Sequence, residues 1–175
     1  MGEKQSQFEE RLLSHLDSAY NVAFWLIQNE RDARAIVEEA YVQARREFEK
    51  LGPSDTRVWL LKIVLRIAHT WIQRQARRSK ADTFPNELSG KSKASSGPVT
   101  ERLSDPGQDE LGKSYFEVLR RLPFEFREIL VLHELEGWSY QKLAAGLGTT
   151  RDTVTERLSV ARRNLRQAQE EAQSG

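Results

Sequence analysis

No cysteine occurs in the 175 residues, which excludes disulfides, thiolate metal sites and a cysteine nucleophile and suits a reducing compartment. No apolar run approaches the roughly 20 residues that a membrane span requires. The opening MGEKQSQFEE has neither the basic start nor the apolar core of a secretory signal. A soluble, cytoplasmic protein without membrane insertion is therefore expected. Phosphate-cradling glycine loops, nucleophile elbows and zinc signatures are missing as well. His15, His69 and His133 stand apart, with no carboxylate at a convincing metal-ligand spacing. The expectation is a protein that is not an enzyme and has no catalytic residue, cofactor or metal site. Strand-length alternation and internal repeats are also absent, which leaves an all-α chain.

Charge is balanced overall and uneven locally. The net charge is only +1, yet residues 1–50 carry −3, residues 51–100 carry +6, residues 101–150 carry −3 and residues 151–175 carry +1. Local sign, more than the total, decides whether a phosphate backbone is attracted. The hydrophobic content of 38% is low for one compact globule but adequate for small helical units joined by a polar segment.

Apolar residues recur at three- and four-residue steps from Phe8 to Gln28, which predicts one helix there. After the polar break Asn29–Asp32, a second helix carries Ala33, Ile36, Val37, Ala40, Tyr41, Ala44 and Phe48. Leu51-Gly52-Pro53-Ser54-Asp55 stops it, with glycine as C-cap and proline just beyond. A third helix spans about Thr56 to Arg78. Residues 79–109, rich in Ser, Gly, Pro and Lys, bury too little to offset ordering and predict a flexible linker. Two further helices follow, Leu111–Leu122 and Phe124–Glu136, the second ended by Gly137. The pattern divides the chain into a helical domain at 1–78, the linker at 79–109 and a second helical domain at 110–175.

The most informative stretch is SYQKLAAGLGTTRDTVTERLSVARR, residues 139–163. Ser139 is a good N-cap, Leu143, Ala144 and Leu147 share one helical face, and Gly148 sits where the chain must turn through a positive φ. Thr149 or Thr150 caps a second helix with Asp152 in its first turn. Val154, Leu158 and Ala161 form the inward stripe of that helix. This is how a chain places a helix in the DNA major groove, although an ordinary αα-hairpin uses the same spacing. The second informative stretch is the third helix, which has no acidic residue between Thr56 and Ala81 while Arg57, Lys62, Arg66, Arg74, Arg77, Arg78 and Lys80 are basic. A cationic face interrupted by Trp59 and His69 can neutralise phosphates and offer a flat surface to an unstacked base. The plainer reading is a solvated surface over core tryptophans, and Trp71, on the apolar stripe, fits a core role. His133, among apolar residues, also reads as structural. The acidic residues of the second helix, Asp32, Glu38, Glu39, Glu47 and Glu49, make either a docking surface for a basic partner or a solvated face.

Three segments together resemble a bacterial sigma factor of the extracytoplasmic-function (ECF) type. LRRLPFEFREILVLHELEGWSYQKLAAGLGTTRDTVTERLSVARRNLR (119–166) is similar to the family's region 4, RDARAIVEEAYVQARREF (31–48) to its polymerase-docking segment, and RVWLLKIVLRIAHTWIQRQARR (57–78) to its promoter-melting helix. The resemblance implies two small helical domains, regions 2 and 4, on a flexible linker. It implies an alternative sigma factor that binds core RNA polymerase and directs promoter recognition and transcription initiation. Asp32, Glu38 and Glu39 would dock on the β′ clamp coiled-coil, and the β flap would be a further contact. Arg57, Trp59, Lys62, Arg66, His69, Arg74 and Arg77 would hold the −10 element and the displaced strand. Arg151, Thr153, Thr155, Glu156, Arg157, Ser159, Arg162 and Arg163 of the recognition helix would read the −35 element. An anti-sigma factor is a further partner that the resemblance implies. Departures from the family pattern stand at Arg34, Ala35, Arg45, Arg66, Thr70, Thr155 and Glu156. A glutamate in the recognition helix can accept a hydrogen bond from cytosine N4 and so alter sequence choice. Two other readings share these residues: a sigma-like decoy that occupies an anti-sigma factor or polymerase without opening DNA, and a stand-alone regulator using only its helix-turn-helix.

Overall fold

The computed structural model describes residues 2–51, 55–81 and 110–174. Among the described residues there are eight α-helices, one π-helical turn and no strand. Contacts sort them into two compact units. One contains α1 (Gly2–Ser14), α2 (Leu16–Ile27) as far as Ala23, α3 (Glu30–Leu51) and α4 (Thr56–Ala81). The other contains Phe24–Gln28 with α5 (Glu110–Arg120), α6 (Phe124–Leu130), the π turn Val131–Leu135, α7 (Tyr140–Leu147) and α8 (Arg151–Ser174).

In the first unit the single helix expected over 8–28 is two. The chain breaks at His15, whose amide turns back to the Leu12 carbonyl at 3.1 Å while the Ser14 hydroxyl donates to the Arg11 carbonyl at 2.7 Å. A serine that takes up a carbonyl of the preceding turn competes with the helix ladder. The next break is tighter than the polar run suggests. Gln28 adopts a positive φ of 59°, and Asn29 caps α3 by accepting the Asp32 amide at 3.0 Å. Helix α3 therefore starts at Glu30. Of the expected stop at 51–55, residues 52–54 lie outside the described residues, and Asp55 caps α4 by accepting the Val58 amide at 3.1 Å. Helix α4 continues beyond Arg78 to Ala81, since Ser79, Lys80 and Ala81 include no helix breaker. The remainder of the expected linker, 82–109, lies outside the described residues. Helices α3 and α4 pack against each other, and Ala33, Ala40 and Ala44 of α3 and Leu60, Leu61, Val64 and Ala68 of α4 are buried in the core of the unit; small side chains let two helix backbones approach closely.

In the second unit the helix expected over 124–136 is α only to Leu130. Beyond it the ladder widens, with the Glu136 amide donating to Val131 at 3.2 Å and the Trp138 amide to Leu132 at 3.0 Å. The wider turn sets Val131 and Leu132 together in the core and brings His133 Nδ1 within 2.8 Å of the Trp138 carbonyl. A carbonyl only accepts, so Nδ1 carries the proton. His133 is a structural tie, as its apolar setting suggested. Gly137 then takes φ 68°.

The helix-turn-helix forms as its residues dictate. Ser139 accepts the Lys142 amide at 3.1 Å, and Gly148 takes φ 63° as the left-handed C-cap of α7. Of the two threonines, Thr150 is the cap of α8, accepting the Thr153 amide at 3.2 Å. Leu143, Val154, Leu158 and Ala161 are buried. Helix α8 runs past the expected end at Arg163 to Ser174, because Gln167–Gln173 holds good helix formers and no glycine or proline. Ser139→Ala should lower the stability of this unit by about 1 kcal/mol, read as a fall in the midpoint of its thermal unfolding.

Candidate nucleic-acid and polymerase interfaces

Helix α4 turns Leu60, Leu61, Val64, Leu65, Ile67 and Ala68 inward. Helical periodicity then sets Lys62, Arg66, His69 and Arg77 on the opposite, exposed face. Arg57 is exposed in the first turn but falls on a different side, and Arg74 stands at the flank of the cationic face. Trp59 is half-buried, its ring 5.8 Å from Phe8, which stacks on Phe48 at 3.6 Å with the planes 16° apart. Trp71 is half-buried as well and lines a groove between α3 and α4 of about 240 Å³ with Ile36, Ile67 and Arg74. Arg66 points across this groove to α3. Its Nη2 donates to Gln43 Oε1 at 2.9 Å and lies 3.3 Å from Glu47 Oε1.

The outer side of α3 carries Asp32, Ala35, Glu39 and Val42 at helical steps, with Glu38 alongside. Val42 is 46% exposed. Glu38 Oε1 is shielded from solvent yet has no hydrogen-bond partner among the described residues. Besides Arg66, two further departures from the family pattern, both on α3, have side-chain partners. Arg34 pairs with Glu30 at 2.7 Å and lies over the Tyr20 ring. Arg45 pairs with Glu9 of α1 at 3.1 Å and lies over the Tyr41 ring. Each arginine therefore braces the first unit.

On α8 the same periodicity turns Thr155, Glu156, Ser159 and Arg163 outward, with Arg151 exposed at the helix start. The remaining recognition-helix residues are engaged locally. The Thr153 hydroxyl is 2.9 Å from that of Thr150 within the cap, Thr155 also donates to the Arg151 carbonyl at 3.0 Å, and Arg157 is half-buried. Arg162 Nη2 is 3.3 Å from Glu134 Oε1. Burial alone would lower the Arg162 pKa, but hydrogen bonds and charge from Glu134 and Tyr140 raise it overall. In the same unit, burial and then the Glu134 charge push the Tyr115 hydroxyl above its usual range, and burial lowers the Arg127 guanidinium. Sequence reasoning missed the Glu134–Arg162 tie, since 28 residues separate the partners. It also missed Gly146. A Cβ there would stand 2.5 Å from Trp138 Cζ3 and 3.3 Å from Cη2, so the absent side chain is what lets the buried indole lie against α7. Among the described residues no group of His, Asp or Glu could hold a metal ion, and no helix is long and apolar enough to cross a membrane.

A capped helix-turn-helix with an outward-facing second helix is the architecture by which DNA-binding modules place a helix in the major groove. Residues 113–165, which include it, match the family described as Sigma-70, region 4. Most of the chain is similar to known sigma factors, and it spans about two thirds of the length of the curated relatives it matches. It is 27% identical over 159 residues to the ECF RNA polymerase sigma factor SigE of Mycolicibacterium smegmatis, covering 91% of this chain and 60% of that one. It is 31% identical over 140 residues to the ECF RNA polymerase sigma-E factor of Escherichia coli K12, covering 75% of this chain and 70% of that one. The sigma factor RpoE of Bartonella quintana, solved in complex with the anti-sigma factor NepR, shares the fold with a TM-score of 0.73 at 21% identity, over 94% of this chain and 97% of that one. The chain belongs to the ECF RNA polymerase sigma factors. Members of this family are transcription-initiation factors and not enzymes.

Proposed function

We propose that this chain acts in the cytoplasm as an alternative sigma factor, lending core RNA polymerase the recognition and opening of a small set of promoters. The acidic stripe of α3 docks on the β′ clamp coiled-coil, the second unit meets the β flap, and α8 reads the −35 element. Helix α4 holds the −10 element and the displaced strand through Lys62, Arg66 and Arg74 on phosphates, with Trp59, His69 and Arg77 beside them and Arg57 reaching from a different side of its first turn. The observation that carries this reading is the outward face of α8 on a fully capped helix-turn-helix, together with a second, acid-free cationic helix in the same chain. Two such helices suit a protein that engages duplex and opened strand at once. An anti-sigma factor as a further partner is supported by the complex of the Bartonella quintana protein with NepR.

Run-off transcription with core polymerase over a random promoter library tests the reading: enrichment of a defined −35 and −10 pair is expected, and no enrichment would refute it. Arg151→Ala and Glu156→Ala should change the enriched −35 sequence while leaving polymerase affinity intact, because each base contact is worth about 1–3 kcal/mol of discrimination.

A further inference from the structure

Arg66 sits in the middle of the exposed face of α4, and it is held by the neighbouring helix. Gln43 of α3 is oriented by its own helix, its Nε2 donating to Glu39 Oε1 at 3.2 Å, which leaves Oε1 to accept from Arg66 at 2.9 Å. Glu47, one turn further along α3, supplies a carboxylate 3.3 Å from the same Nη2. By contrast, Arg74, on the wall of the same groove, has no ion pair among the described residues. The Arg66–Glu47 side chains are 59% and 37% exposed, and ion pairs that wet contribute little to stability. What the pair does change is charge. A phosphate approaching Arg66 meets the Glu47 carboxylate beside it, and the guanidinium must leave Gln43 and Glu47 to reach that phosphate.

We propose that Gln43 and Glu47 are positioning residues that hold Arg66 against α3 and withhold one cationic contact from the opened DNA strand. Glu47 thereby sets how tightly and how salt-sensitively α4 grips single-stranded phosphate. The inference rests on the proposed role of α4 in holding the displaced strand. It assigns to two residues of α3 a control over DNA binding separate from polymerase docking. It also divides the cationic face of α4, with Lys62 and Arg74 as standing contacts and Arg66 as a restrained one.

The test uses holoenzyme assembled from core RNA polymerase and the full chain, with a fluorescent promoter fragment whose −10 non-template strand is unpaired. Its dissociation constant is measured over a fourfold range of salt. Each neutralised single-strand phosphate contributes about −0.7 to the slope of log affinity against log salt. Glu47→Gln, which keeps the shape and removes the charge, should steepen that slope by about 0.7 and tighten binding about threefold at the low-salt end. In an Arg66→Ala background the same Glu47→Gln change should have no effect. An unchanged slope for Glu47→Gln alone overturns the proposal. So does a slope that steepens equally with and without Arg66, because Glu47 would then act only as a repelling charge. If wild-type holoenzyme fails to bind the fragment, the strand-holding role of α4 falls, and the restraint on Arg66 falls with it. Wild-type binding with an unresponsive Glu47→Gln removes the restraint alone.

Discussion

Trp138→Ala is expected to destabilise the helix-turn-helix unit by about 3–5 kcal/mol, the range for removing a large buried aromatic side chain. Trp138 is 2% exposed. Its backbone is fixed on both sides, by an amide that donates to Leu132 at 3.0 Å and a carbonyl that accepts from His133 at 2.8 Å, so the surroundings cannot readily close over the void. A loss of that size is a large share of the 5–15 kcal/mol that typical domains possess. Equilibrium denaturation followed by near-ultraviolet circular dichroism measures it, and binding to −35 duplex should decline in parallel as the unit melts. The contact with Gly146 gives a sharper check. In wild type, Gly146→Ala drives a methyl to 2.5 Å from the indole and should cost about 1–3 kcal/mol through overpacking. In the Trp138→Ala background the space is open, and the same substitution should become stabilising by at most about 0.5–1 kcal/mol, the full gain of a mid-helix glycine replacement, since Gly146 lies in the last turn of α7. A Gly146→Ala effect that keeps its sign in both backgrounds would show that the indole is not what position 146 accommodates.

The helix-turn-helix was readable from local chemistry. Ser139, Gly148 and Thr150 act within four residues of themselves, through a cap hydrogen bond or a positive φ, and the buried stripe of α8 follows from spacing alone. The unread features depend on competition or on distant partners. Ser14 and His15 carry no strong breaking signal, and the end of the first helix shows only in the contacts of the Ser14 hydroxyl to Arg11 and of the His15 amide to Leu12. The π turn answers the need to bury Val131 and Leu132 together while reaching Trp138, which a period of 3.6 does not express. For the candidate sites the division is the same. Helical spacing correctly separates the exposed side of α4 from its core side. It does not reveal that Arg66 belongs to a network with Gln43 and Glu47, or that Arg162 leans on Glu134. Arg34 and Arg45, two of the departures from the family pattern, are paired with Glu30 and Glu9, which spacing along the chain does not show for the Arg45 pair.

A combined Glu38→Lys, Glu39→Lys change should weaken binding to core RNA polymerase by on the order of 100-fold, since like charges forced together at an interface cost several kcal/mol. The stripe it reverses has the makings of a protein-docking face. Val42 offers an exposed apolar side chain within it, and Glu38 Oε1 is screened from water without a partner among the described residues. An apolar centre ringed by charge is the usual anatomy of an interface, and an unsatisfied carboxylate oxygen gains most from an incoming basic donor. Lysine is as good a helix former as glutamate, and both positions face away from the buried alanines of α3. The melting midpoint of the first unit should therefore hold, which separates lost docking from lost fold. Wild-type affinity for polymerase should fall as salt rises, because an exposed charged face is screened within roughly 10 Å at moderate ionic strength; the reversed variant should lose most of that dependence. Unchanged polymerase affinity in the variant would move the docking surface off α3 altogether and leave Glu39 only its contact with Gln43.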